Sequence, residues 1–192
     1  MIKVKVIREC GEDIALFGLG LNKSLTSKYE NIEDISREDK DKLEKLADKL
    51  AKMDGGHNKF LESISVWLDI KLPEKVWSQF DTYRVGMSKQ SESKMHTILN
   101  RDLTQSDFDS PIKDNTLNYL NQLINFSKNI DLITNELPMG FLQRRIIATN
   151  YKALRTIYLQ RKDHKLKHWE VICNSLTTQL KHPDWISTKI KC

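Results

Sequence analysis

FLQRRIIATNYKALRTIYLQR, residues 141–161, sets how much of the second half of this chain is helix. Read at 3.6 residues per turn, it puts Asn150, Leu154, Ile157 and Arg161 on one face, and the pattern predicts a helix over 139–162. From Asn150 to Arg161 is close to three turns, so that face has an apolar middle with polar ends about 16 Å apart. Such a face suits a long ligand. On pattern alone the plainer reading is a core helix whose marginal Asn150 and Arg161 satisfy local backbone groups.

Outward from this segment, ELPMG (136–140) and RKDH (161–164) are breaks, and further helices are expected over 114–135 and 164–181. Residues 99–113 carry Asp, Ser and Pro and read as a connector; 85–98 is polar and reads as a loop plus a short strand. PEKVWSQFDTYR (73–84) starts a short helix with Pro73 at its first position. Before it, SISVWLDIKLP (63–73) alternates, with Ile64, Val66, Leu68 and Ile70 on one face and Ser65, Trp67, Asp69 and Lys71 on the other. Ser36 N-caps a helix with Leu43, Leu46 and Leu50 at helical spacing and Gly55 as its stop. EDIALFGLGLN (12–22) is a further helix, and residues 2–8 alternate as a strand. The result is an α+β chain, expected as one domain over 1–192: an N-terminal strand and helices (1–56), core strands and a polar loop (57–98), and long helices (114–181).

The bulk numbers narrow the function classes. A chain of 192 residues, 39% hydrophobic, buries a core without disulfides or a structural metal. Its 31 basic residues are interleaved with 26 acidic ones, so the net charge of +5 is not gathered into the face that duplex nucleic acid needs. A helical nucleic-acid binder is therefore disfavoured, while a small anion could be served by a few placed Arg and Lys. Cys10, Cys173 and Cys192 lack metal-ligand spacing, and their odd number argues against a disulfide framework. No metal is expected. MIKVKVIREC (1–10) alternates rather than forming the apolar core of a signal peptide, and no run of eighteen apolar residues occurs, so neither export nor membrane insertion is expected. The expected location is cytoplasmic.

Among single residues, His57 follows two glycines and stands at the start of a helix, as a cap or near an anion. Trp67, Trp77, Trp169 and Trp185 follow no basic rhythm and read as core residues. Ser88, Ser91 and Ser93 have no base beside them in sequence to make a hydrolase triad.

Several separated stretches between about 57 and 186 together resemble the flavin-dependent thymidylate synthase family. HNKFLESISVWLDI is similar to the family's His-x-x-Pro-Phe-Glu-His segment leading into a core strand, which puts His57 and Glu62 at positions beside the flavin. VWSQFDTYR resembles the stretch ending in the Arg-His-Arg signature, with Gln79 at the nucleotide-side Gln and Arg84 at the last Arg. ELPMGF resembles the Leu-Pro that introduces the long C-terminal helix. NYKALRTIYLQR keeps the spacing from Asn150 and Lys152, at flavin-contacting positions, to Arg161, at the pyrimidine-binding position, and HKLKHWEV resembles the Ala-Gln-Trp-Glu-Ile that follows. The polar YRVGMSKQSESKM stands where the family has the loop holding substrate phosphate and base.

The resemblance implies a small, mainly antiparallel sheet packed with long C-terminal helices. It implies an enzyme that uses FAD, with NADPH and methylene-tetrahydrofolate, to transfer a one-carbon unit to C5 of a pyrimidine deoxynucleotide, dUMP or a relative, by methylation or hydroxymethylation. Gln79 and Arg161 would orient the pyrimidine; His57, Glu62, Arg84, Asn150 and Lys152 would contact FAD; Ser91, Ser93 and Lys94 would hold the phosphate end. Sites shared between subunits of a homotetramer are also implied. The chain departs from the family where Thr82 and Tyr83 replace the signature's Arg and His, where Thr134 replaces an Arg, and where Lys94-Met95 stands for the final Arg-Tyr. A compact chain with an eroded signature is what a phage-borne version, acting in the host cytoplasm, would have. The alternative is a diverged, non-catalytic protein that keeps a nucleotide or flavin pocket for binding or regulation.

Overall fold

In chain order the structure, a computed structural model described here over residues 1–189, has β1 (Lys3–Cys10), α1 (Glu12–Leu21), α2 (Arg37–Ala51), a 3-10 turn (Gly55–Glu62), β2 (Ser65–Pro73), α3 (Glu74–Phe80), β3 (Ser88–Ser91), α4 (Lys94–Ile98), α5 (Asp114–Gln122), α6 (Ile130–Glu136), β4 (Leu142–Asn150), α7 (Tyr151–Arg161), α8 (Lys167–Gln179) and α9 (Pro183–Ser187). Cys192 lies outside the described residues; Cys10 and Cys173 are free thiols, the first exposed and the second buried.

Val66, Leu68, Ile70 and Leu72 are all buried along β2, as their alternation predicts. The four strands form a sheet of order β1-β2-β4-β3 with antiparallel neighbours. Lys3 at the start of β1 pairs with Asp69 late in β2 at 3.0 Å. Tyr151, just past the end of β4, donates its backbone N–H to Ile64, just before β2, at 3.2 Å.

The expected helix over 139–162 is instead strand β4 followed by helix α7. Gln143, Ile147 and Thr149 are buried at period two, and Arg145 between them shares their face, which disguises a strand as a polar helix start. Asn150 marks the boundary: it is unfavourable inside a helix and favourable as the N-cap it forms here. Other boundaries also shift. Pro73 is the N-cap of α3 rather than its first residue; α2 stops at Ala51, and Gly55, at φ +71°, opens the 3-10 turn instead; the span 94–98 is a short helix; and the helix expected over 114–135 is broken by a π turn, Leu123–Ser127. Trp67, read as core, faces outward and is 40% exposed.

The chain divides into two compact units. The first comprises Met1–Val4, Asp69–Tyr83 and Lys89–Ile147; the second comprises Lys5–Leu68, Arg84–Ser88 and, among the described residues, 148–189. The first unit packs Ile98, Leu103, Phe108, Leu120, Ile124, Ile133 and Phe141 into one apolar cluster. In the second, Trp185 is the hub: Phe60 and Tyr151 meet it edge-on at 5.5 and 5.9 Å, and His182 stacks on it at 3.8 Å. Around that hub α7 packs on α9 and on the 3-10 turn.

Candidate functional site

In the second unit the candidate residues converge on the first turn of α7. Asn150 ends β4 in extended conformation, and its side-chain oxygen accepts the N–H of Ala153 at 2.9 Å, a cap worth about 1 kcal/mol. Gly86 lies against the same side chain. Its φ is +68°, and a Cβ there would sit 2.8 Å from Asn150 Nδ2, so the segment Arg84–Ser88 crosses the helix start only because residue 86 is glycine. Lys152 donates to Gly55 O at 3.2 Å and to Asn58 Oδ1, tying α7 to the 3-10 turn.

One helix start thus gathers Asn150, Lys152, the segment bearing Arg84, and the turn bearing His57 and Glu62. His57 and Glu62 are exposed and border an open groove of about 610 Å³ whose other wall is the Ile14–Gly18 side of α1. At the far end of α7 the guanidinium of Arg161 lies 4.8 Å from the Trp169 ring. Leu154 and Ile157 between the two ends are fully buried, so no continuous ligand track runs along that face. The core reading of the helix middle holds, and only its polar ends remain as candidates.

The first unit holds Gln79, Ser91, Ser93 and Lys94, together with a charge cluster that sequence reasoning missed. Arg145 donates to both oxygens of Asp81 at 2.9 and 3.0 Å and through Nε to Gln143 Oε1 at 3.0 Å, with its guanidinium 4.2 Å from the Trp77 ring. Lys89 donates to Asp81 at 3.1 Å and to the carbonyls of Phe80 and Tyr83 at 3.3 and 2.9 Å. Burial alone would raise the Asp81 pKa, but the bonds from Arg145 and Lys89 outweigh it and hold the carboxyl below its ordinary value.

Beside this cluster, Arg144 grips Asp69 through Nε and Nη2 at 2.7 and 3.0 Å, which lowers the Asp69 pKa, helped by Lys3. Lys94 pairs with Glu74 at 2.8 Å, and Ser91 is exposed at the end of β3. Ser93 is the residue before α4, and its carbonyl accepts from Thr97. The only sequence signal for the cluster was the consecutive Arg144-Arg145, which a period-two reading of 142–150 would have sent to opposite faces.

The departures from the family pattern are taken up in local contacts. Thr82 Oγ1 donates to Gln79 O at 2.8 Å, Tyr83 stacks edge-on with Phe80 at 6.2 Å, and Thr134 Oγ1 donates to Ile130 O at 2.8 Å in its own helix.

Comparison of the whole chain with solved structures finds a flavin-dependent thymidylate synthase, ThyX, from Helicobacter pylori in complex with FAD and dUMP, at a TM-score of 0.76, 16% identity and coverage of 98% of this chain and 100% of that one. The chain has the flavin-dependent thymidylate synthase fold. A UMP/dUMP methylase, PolB, from Streptomyces cacaoi bound with 5-Br dUMP matches over 93% of this chain and 89% of its own, at a TM-score of 0.67 and 13% identity. No protein-family model matches the sequence, and no curated protein matches it. The thymidylate synthase fold is therefore carried here by a sequence only 13–16% identical to these two proteins. Among the described residues, no helix is long and apolar enough to cross a membrane.

Proposed function

We propose that the protein is a flavin-dependent enzyme acting at C5 of a pyrimidine deoxynucleotide, dUMP or a relative, by methylation or hydroxymethylation. The observation that carries this reading is the convergence at the α7 N-terminus, in a chain of thymidylate synthase fold, of Asn150, Lys152 and the segments bearing Arg84, His57 and Glu62. The groove that His57 and Glu62 border, at about 610 Å³, is of the size that takes a cofactor, and Arg84, Asn150 and Lys152 lie outside its lining. His57, Glu62, Arg84, Asn150 and Lys152 would hold FAD, which when bound supplies the hydride and one-carbon chemistry. Gln79 and Arg161 would orient the pyrimidine, and Ser91, Ser93 and Lys94 would face its phosphate. Reduction by NADPH, methylene-tetrahydrofolate as the carbon donor, a homotetramer with shared sites, a single functional domain over 1–192 and a cytoplasmic setting, in a phage host or otherwise, complete the proposal.

The second reading, a non-catalytic flavin- or nucleotide-binding protein, is favoured by one observation: Lys94, Arg144 and Arg145 each hold a carboxylate within 3.0 Å. The deciding experiment is the visible spectrum of the purified protein before and after FAD addition, followed by anaerobic reduction and turnover of dUMP. Yellow protein near one flavin per chain that turns over dUMP supports the enzyme. Flavin uptake without turnover supports the binding protein, and protein that stays colourless refutes the flavin site.

A further inference from the structure

Arg145 has no counterpart among the residues assigned above, yet it lies at the centre of the first unit's polar network. Its side chain is 12% exposed and Lys89's is 16% exposed, so both charges are largely withdrawn from water and are held by specific bonds. Three elements meet there. The Phe80 carbonyl ends α3, the helix that carries Gln79; Asp81 is its C-cap, and the Tyr83 carbonyl lies in the turn just after it. Lys89 belongs to β3, which leads to Ser91. Gln143, which accepts from Arg145, donates from its own amide to Glu92 O at 3.1 Å, between Ser91 and Ser93. Glu92 closes the ring from the other side, its N–H donating to Arg144 O at 3.0 Å and its carboxylate accepting the Arg144 N–H at 2.9 Å.

We propose that Arg145, acting through Asp81 and Gln143, is a positioning residue that sets the spacing between Gln79 on α3 and the Ser91–Ser93 segment. This rests on the nucleotide-site reading of Gln79, Ser91 and Ser93. The chemistry suits the role. Guanidinium is planar and always charged, and its fork bonds Asp81 and Gln143 at fixed angles, which a lysine could not do. The Trp77 ring beneath it restricts the remaining rotation, and Trp77 is itself fixed by its Nε1–H bond to Gln143 O at 2.9 Å. The helix end and the strand are thereby held by one side chain without that side chain reaching the ligand.

The test uses the full chain loaded with FAD, with Arg145→Met and Asp81→Asn as variants. Asp81 is 44% exposed, so the second keeps the fold even if the first does not. Three readouts are taken: amide hydrogen exchange over 90–93, affinity for dUMP, and affinity for deoxyuridine, which lacks the phosphate. The expected result is faster exchange over 90–93, unchanged flavin occupancy, and a loss of about tenfold or more in affinity for both ligands alike. Unchanged exchange, or unchanged dUMP affinity, overturns the proposal. So does a loss confined to dUMP, because Arg145 would then be touching the phosphate directly. If exchange responds but the parent protein binds neither ligand, the nucleotide reading fails and the proposal fails with it; if the parent binds both and the variants match it, the proposal alone fails.

Discussion

Gly86→Ala probes the contact on which the candidate site is built. At φ +68° an alanine is strained by roughly 1–2 kcal/mol. Its Cβ would also sit 2.8 Å from Asn150 Nδ2. The carboxamide is free to turn away only by giving up its 2.9 Å bond to Ala153 N, a cap worth about 1 kcal/mol. The single variant should therefore lose about 2–3 kcal/mol. Asn150→Ala alone should lose about 1 kcal/mol. With both changes the clash partner is gone, only the backbone strain adds to the lost cap, and the double variant should again lose about 2–3 kcal/mol rather than the 3–4 of simple addition. The assay is urea denaturation of the four proteins at constant m, read as a double-mutant cycle. Additivity within about 0.5 kcal/mol would refute the contact, and with it the placement of the Arg84–Ser88 segment over α7.

Further outcomes follow from the same geometry. Arg161→Ala should abolish turnover with little loss of flavin, because its stack on Trp169 is worth only about 0.5–1 kcal/mol; turnover at the parent rate would remove Arg161 from the site. Asp69, whose folded pKa is depressed by Arg144 and then Lys3, contributes stability above its ordinary pKa and loses it as pH falls through the folded value, so the melting temperature should drop below about pH 4, less so in Asp69→Asn. An unchanged acid limb in that variant contradicts the pairing. Cys10 should react with a thiol reagent in the native protein, whereas Cys173, pushed up to about 11 by burial and then by Asp163, should react only after unfolding, as mapped by peptide mass. Preference for dUMP over deoxyuridine should be below about tenfold, since the nearby cations already hold carboxylates; a preference of a thousandfold would mean that those pairs open for the phosphate.

What the sequence made legible depended on whether a pattern was local. β2 was readable because alternate Val66, Leu68 and Ile70 enter one core, and α2 because Ser36 caps it through Asp39 N at 3.2 Å. β4 was not, because its inward row runs Gln143, Arg145, Ile147, Thr149, and the partners that make a buried Gln143 and a half-buried Arg145 tolerable, Glu92 and Asp81, lie 51 and 64 positions earlier in the chain. Asn150 and Lys152, assigned through the family resemblance, do meet the segments of Arg84 and His57; Lys94, assigned to the phosphate in the same way, pairs with Glu74. Lys89, Asp81 and Arg145 each look like ordinary surface charge in sequence, and only the fold makes them one network.

That network bears on what the altered signature means. Losing two or three charge-assisted contacts, at roughly 1.5–3 kcal/mol each, should weaken a phosphorylated ligand by several powers of ten. Thr82 and Tyr83, which stand where two such groups are expected, are now occupied with Gln79 O and the Phe80 ring and serve the loop's own fold. The positive charge nearby has not vanished: Lys89 and Arg145 supply two cations against the single carboxylate of Asp81. With side chains only 16% and 12% exposed, they are fixed in the scaffold and cannot swing toward a ligand without breaking bonds to Tyr83 O and Gln143. Charge in this region therefore acts through the order it imposes on Gln79 and Ser91. On the proposed site assignment, recognition then falls chiefly on the pyrimidine and less on the phosphate.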